Sequence, residues 1–343
     1  MNSRRRALRQ YSRRAQPPKT SSKRFNRFST VPRWPKVPLD PDVAELVQAL
    51  AETGAPALSE GTVEQARSNY FRTPTPPSDE IAHVTDSFVD GPHGSIPIRI
   101  YATTSQPAHL PVVVMFHGGG WVLSSVDGHD HVARRLAVVT DALIVSVDYR
   151  LAPEHPFPQP HDDCWAVTQW LSAQAASIGG DPSRIIIFGD SAGANLAAGV
   201  ALRARDEGLR LCAQVLCYPC LDTEQDAYPS MTENATGYFL TAADMSWFWG
   251  HYLANGGHEN PYAVPARAGS LNDVAPSLTI TAEFDPLRDE GALYAERLAA
   301  ADTDAEYLAV PGVVHGFIAR WHTMSRAVGV HDVIGEYCTR MFQ

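Results

Sequence analysis

Six short, nearly continuous apolar runs follow one another from residue 112 onward, and they constrain this chain more than any other feature. They are Val112–Phe116, Leu143–Val147, Ile185–Phe188, Val215–Cys217, Leu278–Ala282 and Tyr307–Val310. Runs of this kind indicate strands buried on both faces. Helical stretches lie between most of them, for example Cys164–Leu171, Ala192–Arg205 and Glu290–Ala300. Strands alternating with helices predict the α/β class: a mostly parallel sheet with helices on both sides.

Upstream, Val84–Val89, a turn at Asp90-Gly91 and the period-two residues Ile96, Ile98 and Ile100 predict an antiparallel hairpin. Before it, Asp40-Pro41 supplies an N-cap and a first-turn proline for a helix through Val43, Leu46, Val47 and Leu50. A proline-rich stretch around Pro74, Pro76 and Pro77 separates the two. The segment from about Asp222 to Pro261 breaks the strand–helix rhythm. It is rich in aromatics, with Tyr238, Phe239, Trp247, Phe248, Trp249 and Tyr252, and reads as an inserted helical cap. No internal repeat is present. The expected organisation is an arm over 1–36, the N-terminal part of a cap over 37–80, a core over 81–221 and 263–343, and a cap insertion over 222–262.

Charge is unevenly spread. The net charge is -10, yet residues 1–36 carry 12 of the 28 Lys and Arg and no acid, leaving 16 basic against 38 acidic residues in the body. An acidic body is a poor surface for nucleic acid, so no such partner is expected. The arm lacks the apolar content of a core segment or a secretory leader and is expected to be disordered. Contact with phosphate or anionic lipid, and a mitochondrial-type leader, are the other readings of its composition. No apolar run approaches the ~18 residues a membrane helix needs. Stable membrane insertion is therefore not expected, and a cytoplasmic location is. Cys164, Cys212, Cys217, Cys220 and Cys338 have irregular spacing and read as reduced, mostly buried thiols. All three lysines, Lys19, Lys23 and Lys36, fall in the arm, so the body offers no P-loop lysine, Schiff-base lysine or Ser–Lys dyad.

The sharpest chemical signal is Gly189-Asp190-Ser191-Ala192-Gly193, a G-x-S-x-G element between an apolar strand and an Ala-rich helix. A strained strand-to-helix turn there projects a serine hydroxyl, and the helix N-terminus adds backbone N–H groups. The alternative is a structural turn. The second signal is His117-Gly118-Gly119-Gly120-Trp121, directly after Val112–Phe116. Its glycines let the backbone aim N–H donors at a developing oxyanion. A phosphate cradle is the rival reading, but no lysine follows. A serine nucleophile needs a base and an orienting acid, in the order Ser, Asp or Glu, His along such a sheet. His315 is the histidine after Ser191 that directly follows a strand. Asp285 lies just past Leu278–Ala282, whereas Asp289 reads as a helix N-terminal residue. The expected triad is Ser191, His315 and Asp285.

Together these segments, with Asp148–Pro158 (DYRLAPEHPFP) and His315–Phe317, resemble the hormone-sensitive-lipase family of α/β-hydrolases, the microbial family IV esterases. The resemblance spans roughly residues 80–320. It implies an α/β-hydrolase sheet of eight strands, the second antiparallel, under a helical cap. It implies oxyanion donors at Gly119, Gly120 and Ala192, or Gly118 if the loop is shifted. It also implies a buried glutamate, Glu154, bracing the nucleophile and oxyanion loops; a plain buried salt bridge is the alternative. Asp190 is a further supporting residue, and Trp121, Tyr218, Tyr238, Phe239 and Phe317 are the expected pocket wall. His129-Asp130-His131 would place its rings on different helix faces, which disfavours a metal site. Asn234-Ala235-Thr236 is a glycosylation sequon relevant only to a secreted chain. The expected activity is a cofactor-free serine carboxylesterase acting on small carboxylic esters, with a homodimer as a family analogy. The alternatives are an amide or peptide hydrolase with the same triad, and a non-catalytic small-ligand receptor.

Overall fold

All six apolar runs are strands of one sheet in the computed structural model, which describes residues 37–54, 56–71 and 78–343. The basic arm lies outside the described residues. The strands are β1 (His83–Gly91), β2 (Gly94–Ala102), β3 (Leu110–Phe116), β4 (Leu143–Val147), β5 (Gly180–Asp190), β6 (Ala213–Cys217), β7 (Ser277–Phe284) and β8 (Ala305–Val314). Their order is β1-β2-β4-β3-β5-β6-β7-β8. β2 pairs antiparallel with both β1 and β4, and the remaining pairs are parallel. The hairpin turn falls at Pro92-His93 rather than Asp90-Gly91, because the ladder continues through Asp90↔Ser95 to Gly91↔Gly94. Pro92 has no N–H to give a further rung and so ends it.

Helices α1 (Pro41–Glu52), α2 (Val63–Phe71), α3 (Asp130–Thr140), α4 (Gln159–Gln174), α5 (Ala192–Glu207), α6 (Pro229–Glu233), α7 (Ala242–Tyr252), α8 (Arg288–Ala300) and α9 (Ser325–Met341) complete the fold. Alternate residues of β3 explain the two layers. Val112, Val114 and Phe116 join α4, α5 and α8 on one face, while Val113 and Met115 join α3 and α9 on the other. All five are essentially sealed from water. Such burial contributes about 1.5–3 kcal/mol per large apolar side chain. α5 approaches the sheet closely because its first turn is small: a Cβ on Gly193 would collide with the Phe116 carbonyl. Among the described residues no helix is long and apolar enough to cross a membrane.

The segment expected as the N-terminal cap divides in two. α1 docks on the body: Asp40 donates its N–H to Gly312 O at 2.9 Å, its carboxylate pairs with Arg326, and Val43 is buried with Val310 and Val314. Among the described residues, the stretch from Leu58 to α2 reaches the insertion, where Ser59 N–H donates to Asp244 Oδ1 at 2.9 Å.

Two histidines from the outer helices hold the turn Phe317–Arg320. His131 Nε2 donates to Ala319 O at 2.8 Å and His331 Nε2 to Ile318 O at 3.1 Å. Burial lowers His131, His161 and His331 from the usual 6.5 to about 4, and His117 to about 3. The unfolded chain therefore binds more protons between those values and 6.5, so this contribution is fully present above pH 6.5 and is lost as pH falls toward 4. The melting temperature is expected to decline steadily over that range, and His331→Gln should make the slope shallower. A flat profile from pH 6.5 to 4 would contradict this account.

Candidate active site

β5 ends at Asp190 and α5 begins at Ala192, so Ser191 sits alone on the turn between them with φ +56°. A left-handed backbone at a non-glycine residue is strained. The strain is held by Ser191 N–H donating to Cys217 O at 2.9 Å and by Asn195 N–H donating back to Ser191 O at 3.1 Å. His315 Nε2 lies 2.9 Å from Ser191 Oγ, and its Nδ1 lies 2.7 Å from Asp285 Oδ2. A carboxylate can only accept, so the ring proton belongs on Nδ1 and leaves Nε2 free to accept from the serine hydroxyl. Asp285 is fully buried, and its second oxygen accepts the Leu287 N–H at 2.9 Å. Asn234, the sequon residue, is also buried: its amide donates to the Glu283 and Asp285 carbonyls at 3.1 and 3.0 Å, tying the insertion to the end of β7.

The glycine loop after β3 is fastened to the same turn. Gly118 N–H donates to Asp190 Oδ1 at 2.9 Å, which occupies that amide and removes the shifted-loop alternative for Gly118. Among the described residues, the N–H groups of Gly119 and Gly120 donate to no protein group. Ala192 is the first residue of α5, so its N–H has no acceptor within the helix. Gly120 has φ +61°, and a Cβ there would strike the Phe248 ring, so cap helix α7 lies directly on this loop.

Some expected pocket residues are closed off. Trp121 has no solvent exposure; its positive φ of 59° turns the indole into the core, where it stacks on Tyr252 at 4.3 Å and meets Trp249 at 4.4 Å. Such pairs add about 0.5–1.5 kcal/mol each beyond area burial and bind α7 to the glycine loop. Phe317 is likewise sealed, and Tyr218 is nearly so; Tyr218 lies 4.7 Å from the His315 ring and 5.6 Å from Phe317, backing the imidazole rather than facing substrate. Tyr238 is half-buried against Phe284, and Phe239 is 47% exposed. Glu154 is not buried: its side chain is 53% exposed and grips Arg67 of α2 at 2.7 Å. Arg67 also donates to the Val122 and Ala152 carbonyls, so the brace on the glycine loop runs through an N-terminal helix. Pairing with Arg67 lowers the Glu154 carboxyl to about 2.

One network lay outside the sequence reading. His129 Nε2 stands 3.3 Å from the Asp190 carboxylate and its Nδ1 2.8 Å from Ser124 Oγ, and Tyr70 of α2 hydrogen-bonds Ser124. Burial alone would raise Asp190, but His129 and the Gly118 amide lower it, keeping the carboxylate charged. His129 and His131 indeed face different partners. The only sequence signal for this network was ligand-type residues at 129–131, and nothing in it pointed to Ser124 or Tyr70.

A sheet of this strand order, with its serine on the turn between β5 and the following helix, has the α/β-hydrolase fold. Residues 113–319 match the model of a family described by that same fold. The chain is 41% identical over 261 residues to the esterase LipI of Mycobacterium tuberculosis, covering 75% of this chain and 81% of that one. It is 40% identical over 291 residues to the carboxylesterase NlhH of the same organism, covering 81% and 89%. A hyperthermophilic esterase from Pyrobaculum calidifontis superimposes with a TM-score of 0.83 at 36% identity, over 89% of this chain and 99% of that one. The chain belongs to the α/β-hydrolase family, in its hormone-sensitive-lipase-like branch, and is a carboxylic ester hydrolase.

Proposed function

We propose that the protein is a serine carboxylesterase for short- to medium-chain esters, working through Ser191, His315 and Asp285. The observation that carries this reading is the continuous hydrogen-bonded line from Asp285 through His315 to Ser191 Oγ. His315 Nε2 takes the hydroxyl proton as Oγ attacks the ester carbonyl, and Asp285 holds the imidazolium that forms. The unengaged amides of Gly119, Gly120 and Ala192 receive the oxyanion. As the tetrahedral intermediate collapses, His315 returns the proton to the leaving alkoxide and an acyl-serine remains. Water, deprotonated by the same nitrogen, then attacks the acyl carbonyl and releases the acid and Ser191.

The cap supports a limited acyl length. Ser191 is only 8% exposed, and α7 closes the glycine loop beside it. Within a closed pocket each added CH₂ gains up to about 0.8 kcal/mol until the space is full. Across p-nitrophenyl esters from acetate to palmitate, kcat/KM is expected to peak between about two and eight carbons. Rapid hydrolysis of emulsified long-chain triglyceride would overturn the size limit and indicate a lipase.

A further inference from the structure

We propose that Arg320 is a specificity-determining residue that favours esters carrying a carboxylate, on the acyl or the alcohol part, over neutral esters of equal length. The inference rests on the catalytic reading above. Arg320 closes the short turn that follows His315, and His131 and His331 pin that turn by its carbonyls. Its guanidinium carbon lies 5.4 Å from the Phe239 ring centroid. The same ring stands 3.6 Å from where a Cβ on Gly316 would be, next to the base. Phe239 is exposed, so the cation is presented one aromatic ring away from His315, at an open edge of the site.

What distinguishes Arg320 is its lack of a partner. Among the described residues, nearly every other arginine pairs with a carboxylate. Arg297 instead donates to the Ala266 and Ala268 carbonyls, and Arg210 is exposed to water. Arg320 is partly buried, and its side chain makes no ion pair or hydrogen bond among the described residues. Its electrostatic neighbours are the Tyr70 and Tyr218 phenols and the His322 ring, none of them a carboxylate. Its nitrogens are nevertheless not sealed from water. Partial burial removes hydration from a guanidinium that stays charged at any working pH, and the aromatic face of Phe239 compensates only in part. A planar fork of donors held in this way matches a carboxylate.

The test compares full-length wild type with Arg320→Gln and Arg320→Lys by pH-stat titration on two substrate pairs. One pair is monomethyl glutarate and methyl pentanoate, with the charge on the acyl side. The other is 4-acetoxybutanoate and butyl acetate, with the charge on the alcohol side. In at least one pair, Arg320→Gln should lower the charged-to-neutral ratio of kcat/KM about tenfold to a hundredfold, the scale of one charge-assisted hydrogen bond. The loss should fall in KM, Arg320→Lys should recover part of it, and the affected pair identifies the side. If Arg320→Gln changes both members of each pair equally, Arg320 is only a cation–π latch for Phe239 and the proposal is wrong. Wild-type turnover of neutral esters with none of charged ones would also overturn it. Failure on every ester would overturn the triad reading instead, and this inference with it.

Discussion

Ser191→Ala is expected to abolish ester turnover, with kcat falling about 10⁶-fold, the scale seen when a triad serine is removed from a hydrolase. A fluorophosphonate should label Ser191 in the wild type and no residue in the mutant. The informative comparison is Ser124, which also faces a histidine and, beyond it, an aspartate: His129 at 2.8 Å and Asp190. Ser124 is 3% exposed, its hydroxyl is bonded within the Tyr70–Ser124–His129 network, and it stands at no helix N-terminus. It therefore has neither access nor an amide cradle of its own. Mass-spectrometric mapping of the label on Ser124, together with residual activity in Ser191→Ala, would sink the assignment.

The second large effect separates two aspartates four residues apart. Asp285→Asn should keep the fold and lower kcat by roughly 10⁴, because an amide at this position favours the wrong imidazole tautomer. Asp289 stands in the first turn of α8, as its position suggested, and of the two roles open to it there, capping or pairing with a nearby arginine, it takes the pairing. It is fully buried, accepts the Ser230 N–H at 2.8 Å and Arg288 Nε at 2.8 Å, and so latches α6 of the insertion to the start of α8. Asp289→Asn removes the buried one of Arg288's two carboxylate partners and leaves Glu233 at 3.0 Å, so the loss is that of a charge-assisted hydrogen bond, about 1.5–3 kcal/mol. Its melting temperature should fall while kcat per folded molecule changes much less. Measuring both quantities for both variants decides the matter: a 10⁴-fold rate loss that followed Asp289 would move the acid one helical turn along the chain.

The elements carrying Ser191, His315 and Asp285 were legible because each is a local event. An apolar run sealed on both faces must be a strand, and a G-x-S-x-G between strand and helix has few conformations open to it. His315 and Asp285 were located by the same logic, as polar residues at the ends of such runs. At Gly120 the structure adds a steric reason for glycine, since a side chain there would occupy the space of the Phe248 ring.

Pocket and brace residues were harder to place, and Trp121 and Glu154 show why. Composition marks Trp121 as an aromatic beside the glycine loop, but its direction depends on a positive φ and on where Tyr252 and Trp249 arrive from the insertion. Glu154 lies in a motif that implied burial, yet its partner is Arg67, 87 residues away on α2. No local pattern encodes such a pair. Segment 37–80 reads as one unit along the chain, but α1 goes to β8 and α2 to the glycine loop. Hydrophobic periodicity tells which face of a helix is buried and says nothing about what buries it.

What the sequence determined by itself was therefore the class of fold, the place of each strand end and the residue types that stand there. These follow from backbone hydrogen bonding and burial, which act over a few residues. Only the tertiary structure decided that Gly118 is spent on Asp190, that His129 joins Ser124 to the turn at Ser191, and that Arg320 is left without a counter-ion among the described residues. Each is a contact, or a missing one, between segments that approach only when the sheet closes, and it depends on ångström-scale distances that no one-dimensional pattern carries.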